Sequence, residues 1–349
     1  GFFFFFCDSV AQYHSRRSRR RDFKRRTDDE KKPDQDMRKR VRAFAPATVA
    51  NVSCGFDIFG FAMEYPGDEV KLTLSNEPGI TISRIIGDNG RLPIEADKNT
   101  AGIAARLFLE KMEMHNEVGV TIELIKNLPL GSGMGSSAAS SVAVLFGMNH
   151  LFQTPFSRTE LLPCALETER SACGSAHADN AAPALFGGFV LVRSYQPLDI
   201  INLPVPQDLY CCLIHPDIEV NTGSARQILS PNVKLTDAVR QMGNVAGFVA
   251  ALCKSDYSLL SRSMEDVLIE PARSQFIPHY YELKEEAMKA GALGCNISGS
   301  GPSVFALCKS EQIAYQVSDV MKDLYDKINL KSEIYISKIN QQGPKILED

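Results

Sequence analysis

The stretch LPLGSGMGSSAAS, residues 128–140, sets Gly131, Gly133 and Gly135 at every second position and follows them with Ser136 and Ser137. Three residues without a Cβ let backbone N–H groups approach an anion closely, and a helix starting near Ser136 would aim its positive end at the same point. This spacing suits a polyphosphate held by backbone donors and helix dipole. Pro129, Leu130, Ser132, Met134, Ala138 and Ala139 complete the loop and the first helical turn. A Walker A loop needs a lysine before its Ser/Thr, and a dinucleotide fingerprint needs G-x-G-x-x-G; neither is present. The alternative is a tight strand-to-helix turn that binds nothing. Ser137 weighs against that alternative, because its hydroxyl can ligate a Mg2+ riding on the phosphates. Mg2+ usually takes only one or two protein carboxylates, so a single acid should complete the site.

The segments around the loop must hold it. VGVTIELIKNLP alternates, with Val118, Val120, Ile122 and Leu124 on one face of a strand that delivers the chain into the loop. A helix is expected from about Ser136 to Phe152, packing through Ala138, Val142, Leu145 and Phe146. Upstream, VRAFAPATVANV opens as a strand that Pro46 should end, VKLTLS and ITISRII read as strands, and Ile103, Leu107, Leu109 and Met112 fall near helical spacing. Downstream, Ser157 and Glu160 form a capping box for a helix through LETER. The Pro-rich PLDIINLPVPQD suits a domain junction near residue 205, after which strands and helices continue to EIYISK. Strands grouped with helices, without regular βαβ alternation, indicate an α+β fold in two domains, 37–204 and 205–349.

Composition bounds the function. With 44% hydrophobic and 23% charged residues among 349, the chain is an ordinary globular protein, and its longest apolar stretches fall short of the ~20 residues of a membrane span. No membrane is expected as a partner. Nine scattered cysteines with no C-x-x-C fit buried thiols in a reducing cytoplasm. Residues 1–36 differ sharply, running from GFFFFFCDSV into SRRSRRRDFKRR, with ten Lys or Arg against seven Asp or Glu. The acids argue against a transit peptide, and the acidic remainder argues against a nucleic-acid arm. They are read as a disordered, non-native or accessory tail.

LPLGSGMGSSAA resembles the phosphate loop of the GHMP small-molecule kinases, P-x-x-x-G-[LM]-G-S-S-A. APATVANVSCGFD, GSAHADNAAP, EPAR and ISGSGP extend the resemblance to the homoserine kinases within that family, from about Met37 to the C-terminus. The resemblance implies an N-terminal domain like ribosomal protein S5 domain 2 and a ferredoxin-like C-terminal domain. It implies ATP and Mg2+, with phosphoryl transfer to the side-chain hydroxyl of L-homoserine in a cytoplasmic step toward threonine, and admits a homodimer. Arg226 and Arg273 would clamp the carboxylate, with Asp57, Asp179, Asn51 and His177 about the ammonium and Gly299 beside them. Asn180 and Thr222 match positions near the reacting hydroxyl. Glu169, preferred over Glu167, would join Ser137 at the metal. Several relatives carry a lysine where this chain has Thr48, so Asp179 is read first as substrate-binding, its role as base left open. Other GHMP kinase activities and a noncatalytic binding protein are the alternatives.

Overall fold

The computed structural model describes residues 40–220 and 222–348. The tail expected over residues 1–36 lies outside the described residues.

Strands β1 (Arg40–Ala50), β2 (Phe59–Ser75), β3 (Gly79–Ile86), β4 (Gly119–Ile125), β5 (Phe189–Tyr195), β6 (Leu198–Leu203) and a late strand, β11 (Lys345–Leu347), form one sheet. Its main path runs β11-β1-β2-β4-β3, and the opening residues of the long β2 also pair with β5, which pairs with β6. Helices α1 (Thr100–Lys111), α2 (Ser136–Leu151), α3 (Arg158–Cys173) and α4 (Ala178–Phe186) accompany it. The alternation in β4 places Val120, Ile122 and Leu124 in the core.

The second sheet consists of β7 (Tyr210–Pro216), β8 (Gly294–Ile297), β9 (Val304–Cys308) and β10 (Ser332–Lys338), antiparallel in the order β10-β7-β9-β8. Between β7 and β8 come α5 (Thr222–Gln227), α6 (Leu235–Lys254), α7 (Tyr257–Ser263), α8 (Glu270–Arg273) and α9 (Tyr280–Lys289); α10 (Glu311–Lys327) precedes β10. The spatial order within this unit, last-first-third-second, is that of a split βαβ. A run of phenylalanines joins the sheets. Phe61 meets Phe189 at 4.7 Å and Phe305 at 5.8 Å, and Phe59 meets Phe248 at 5.1 Å between ring centres. Each such ring, fully buried, contributes roughly 1.5–3 kcal/mol of apolar burial.

Three local expectations change. Pro46 does not end β1; it sits at a bulge between Pro46 and Thr48, past the residues that pair with β11, so its missing N–H breaks no ladder on that side. In α1 the buried ring is Phe108, while Leu107 is only half-buried. Helix α2 has no single packing face, because it lies among β1, β2, α1, α3 and α4, and even Ser140 and Ser141 are buried. Phe146 is half-buried under the Arg158 guanidinium. Among the described residues no helix is long and apolar enough to cross a membrane.

Candidate active site

The glycine loop leaves β4 at Ile125 and enters α2 at Ser136. Gly131, Gly133 and Gly135 have φ of 66°, 77° and 66°, the left-handed region that favours glycine. Two of them are also tightly enclosed. A Cβ on Gly133 would lie 2.3 Å from the Ser298 carbonyl oxygen, and one on Gly135 would lie 1.9 Å from Thr48 Oγ1, whereas one on Gly131 would meet nothing within 4 Å. The loop's carbonyls are taken up by the protein: Ser303 N donates to Ser132 O (3.3 Å), Ser298 Oγ to Gly133 O (2.7 Å) and Thr48 N to Met134 O (3.0 Å). Ser132 and Met134 are buried, and Ala138 and Ala139 seat the first turn of α2 in the core. Pro129 and Leu130 line a cavity of about 830 Å3, together with Asp88, Asn89, Arg91 and Asn127.

Beneath the loop lies an ion pair without a local pattern in the sequence. Lys126 and Asp68 are both buried and paired, and Lys126 Nζ also donates to Ser136 O (2.9 Å) and Ser140 Oγ (2.8 Å). Asp68 Oδ1 accepts from the amides of Asn127 (3.0 Å) and Leu128 (3.1 Å). A buried pair satisfied on all sides fixes the helix start; removing one partner of such a pair costs about 3–5 kcal/mol.

Ser137 and Glu169 face each other. The Ser137 hydroxyl lies close enough to the Glu169 carboxylate to favour its charged form, while Glu169 Oε1 is buried with no partner. Burial pushes the carboxyl up to about 7, opposed by the Ser137 hydrogen bond and the Lys126 charge. Glu167 is half-buried and pairs instead with Arg170. A hydroxyl beside an under-satisfied carboxylate is an oxygen donor set of the kind a hard cation takes.

The opposite wall comes from the β1–β2 loop, the start of α4, α5, α8 and the β8–β9 loop. Asp179, in the first turn of α4, is 1% exposed; its Oδ2 accepts from Asn51 N (3.2 Å) and its Oδ1 is buried without a partner. Burial, and then the nearby Asp57 charge, raise its pKa to about 7. Asn180 Oδ1 accepts from Thr48 Oγ1 (2.8 Å), so the two stand together against Gly135. His177 precedes α4, bonded to Ser175 (2.7 Å), and burial lowers its pKa so that the ring is neutral near pH 7. Asn51 donates to Gly299 O (2.9 Å) and accepts from Asp57 N (2.8 Å).

Asp57 pairs with Arg226 of α5. Arg273 is 3% exposed and donates to Ala225 O (3.2 Å) and Gly299 O (3.0 Å). Both guanidiniums lie over Phe56, at 5.5 and 5.0 Å from its centre. Gly299 therefore contributes its carbonyl to Asn51 and Arg273. Thr222 opens α5, but its side chain lies outside the described residues. Gln241, Asp266 and Tyr195, whose hydroxyl donates to Asp57 O (3.1 Å), carry no motif in the sequence, and Phe56 stands inside one without being marked by it. Each is a single residue of a type common in cores and surfaces, with no spacing to mark it.

The pattern described as "GHMP kinases N terminal domain" matches residues 99–188, and "GHMP kinases C terminal" matches 248–327. Homoserine kinase of Chloroherpeton thalassium is 49% identical over 318 residues, covering 88% of this chain and 100% of the relative. That of Chlorobium phaeovibrioides is 50% identical over 319, with the same coverage. The chain belongs to the homoserine kinase family. A crystal structure of homoserine kinase from Cytophaga hutchinsonii superposes with a TM-score of 0.86 at 54% identity, covering 88% of this chain and 98% of that one. The two sheets described above are thus the two-domain α+β fold of a GHMP kinase, and the homoserine kinase motifs meet one another and the glycine loop: Asn51 meets Asp179 and Gly299, Arg273 meets Gly299, and Thr48 and Ser298 bond to the loop.

Proposed function

We propose that this chain transfers the γ-phosphoryl group of ATP to the side-chain hydroxyl of L-homoserine, giving O-phospho-L-homoserine in threonine biosynthesis in the cytoplasm. The observation that carries the reading is the Asp57–Arg226 pair, joined by Arg273 over one phenyl ring. An amino-acid head group bears one carboxylate and one ammonium, and this wall offers their opposites side by side. Arg226 and Arg273 would take the carboxylate, and Asp57 the ammonium, with Asn51 and His177 completing the polar surface.

The phosphates would rest on Gly131–Ala139, with the nucleoside in the cavity beside Pro129 and Leu130. Ser137 and Glu169 fit Mg2+, the partnerless Oε1 being the observation in favour. When bound, the ion would neutralise charge on the phosphates. Asp179 Oδ1 would accept the hydroxyl proton as the oxygen forms its bond to the γ-phosphorus and the bond to the β-bridging oxygen breaks. A carboxyl poised near 7 is suited to that exchange, and the Thr48–Asn180 pair holds the floor on which the hydroxyl sits. A lysine beside the acid is thereby dispensable, since burial rather than a neighbouring cation sets its pKa.

A coupled ADP-release assay with homoserine, mevalonate and galactose tests the reading. Release with homoserine alone is expected; faster release with another alcohol would overturn it.

A further inference from the structure

Gln241, on α6, is 7% exposed and far from the glycine loop in sequence, yet its amide bridges two of the segments that build the head-group wall. Its Nε2 donates to Cys54 O (2.9 Å), two residues before Phe56, and to Asp266 Oδ1 (2.9 Å). Its Oε1 accepts from Val267 N (3.0 Å). The two donations and one acceptance fix which way the amide faces.

Asp266 continues the link. Its Oδ1 also accepts from the amides of Leu268 and Ile269, both at 3.0 Å, and its Oδ2 from Glu270 N (2.9 Å). The carboxylate thus gathers the backbone that leads into α8, whose last residue is Arg273. Glu270 braces the other side, accepting from Lys284 Nζ at 2.7 Å and from Asn296 Nδ2 at 2.5 Å. One side chain therefore ties the Phe56–Asp57 loop of the first sheet to the Arg273 segment of the second.

We propose that Gln241, acting through Asp266, is a positioning residue for acceptor selectivity: it holds Phe56 and Arg273 in the register that recognises an amino-acid carboxylate. This rests on the reading of Arg273 given above. The amide itself touches no reactant. Glutamate would lose both donations and set a second carboxylate against Asp266; methionine keeps the volume and loses the bridge.

The test is a double-mutant cycle on the full chain with Gln241→Met and Arg273→Ala, using ATP with homoserine and with 3-aminopropan-1-ol, which is homoserine without its carboxylate. Alone, Gln241→Met should raise KM for homoserine about tenfold, leave KM for ATP within about twofold, and erode the preference for homoserine over the amino alcohol. In the Arg273→Ala background it should add far less, because the charged group it positions is gone. An unchanged homoserine KM, or a loss of equal size in both backgrounds, overturns the proposal and leaves Gln241 a packing residue. Asp266→Asn, which keeps most of the acceptors, runs the same cycle if Gln241→Met does not fold. A parent enzyme that ignores homoserine refutes the underlying reading; a parent that uses it, impaired by Arg273→Ala but not by Gln241→Met, refutes this inference alone.

Discussion

Asp57 and Arg226 are each other's partner in a cleft where both would be needed by a zwitterion. The aspartate's amide is held by Asn51 and its carbonyl by Tyr195, so the pair rests on an anchored loop. A substrate carrying both charges can exchange partners with the pair one for one, which limits the cost of stripping water from either group.

The arginines should therefore govern the acceptor and spare the nucleotide. Removing one side of a desolvated charge pair costs roughly 2–5 kcal/mol, so Arg273→Ala, at a buried guanidinium, should lower kcat/KM for homoserine at least ~30-fold, and Arg226→Ala, whose side chain is 48% exposed, about fivefold. ATP affinity should stay within a few-fold. Steady-state kinetics with homoserine and 3-aminopropan-1-ol would decide it: variants that keep the parent's preference would show that the carboxylate is held elsewhere.

Glu169→Gln should leave the fold intact and reduce turnover about 100-fold or more, as loss of charge stabilisation at a reacting phosphate does. The magnesium concentration needed for half-maximal rate should rise. Near-parental activity at limiting magnesium would remove Glu169 from the metal site.

Asp179 predicts opposite pH trends for rate and stability. Its carboxyl titrates near 7, so kcat/KM should rise as pH passes upward through about 7, and Asp179→Asn should be slow with no such limb. Because the folded value lies above the ordinary 3.8, the folded state holds the proton more tightly, and that contribution is complete below about 4 and lost as pH rises to about 7. Parent stability should accordingly fall relative to Asp179→Asn over that window in denaturant titrations. A parallel pair of stability curves would show that Asp179 is not shifted.

The glycines should separate by crowding. Gly131→Ala faces open space and carries only the left-handed backbone penalty, about 1–2 kcal/mol. Gly135→Ala meets Thr48 Oγ1 as well, and overpacking adds about 1–3 kcal/mol. Equal losses of stability in the two variants would mean that the contact with Thr48 relaxes freely.

What was legible in the sequence was local or motif-borne. The capping box of Ser157 and Glu160 is present, and β4 buries its alternating face, because short-range spacing determines both. Pro46 was misjudged because a proline reports on its own backbone, whereas its tolerance depends on what lies across the strand. Lys126 and Asp68 meet across 58 positions, and Gln241 and Cys54 across 187, distances over which no spacing rule operates. Phe56 stands inside a quoted motif, yet its place under two guanidiniums depends on α5 and α8 arriving from the second sheet.

Strand β11 brings the end of the described chain back to β1, and before it Asn340 exchanges hydrogen bonds with Ala62 and Gly188 of the first sheet. The chain thus crosses between the two units twice, after β6 and again after β10, and the crossings flank a shared apolar core that includes Phe61, Phe248 and Phe305. A unit entered and left through its neighbour cannot be detached by one break: cutting the chain between β10 and β11 would leave it held by that core and by the crossing after β6, without touching a residue of the site.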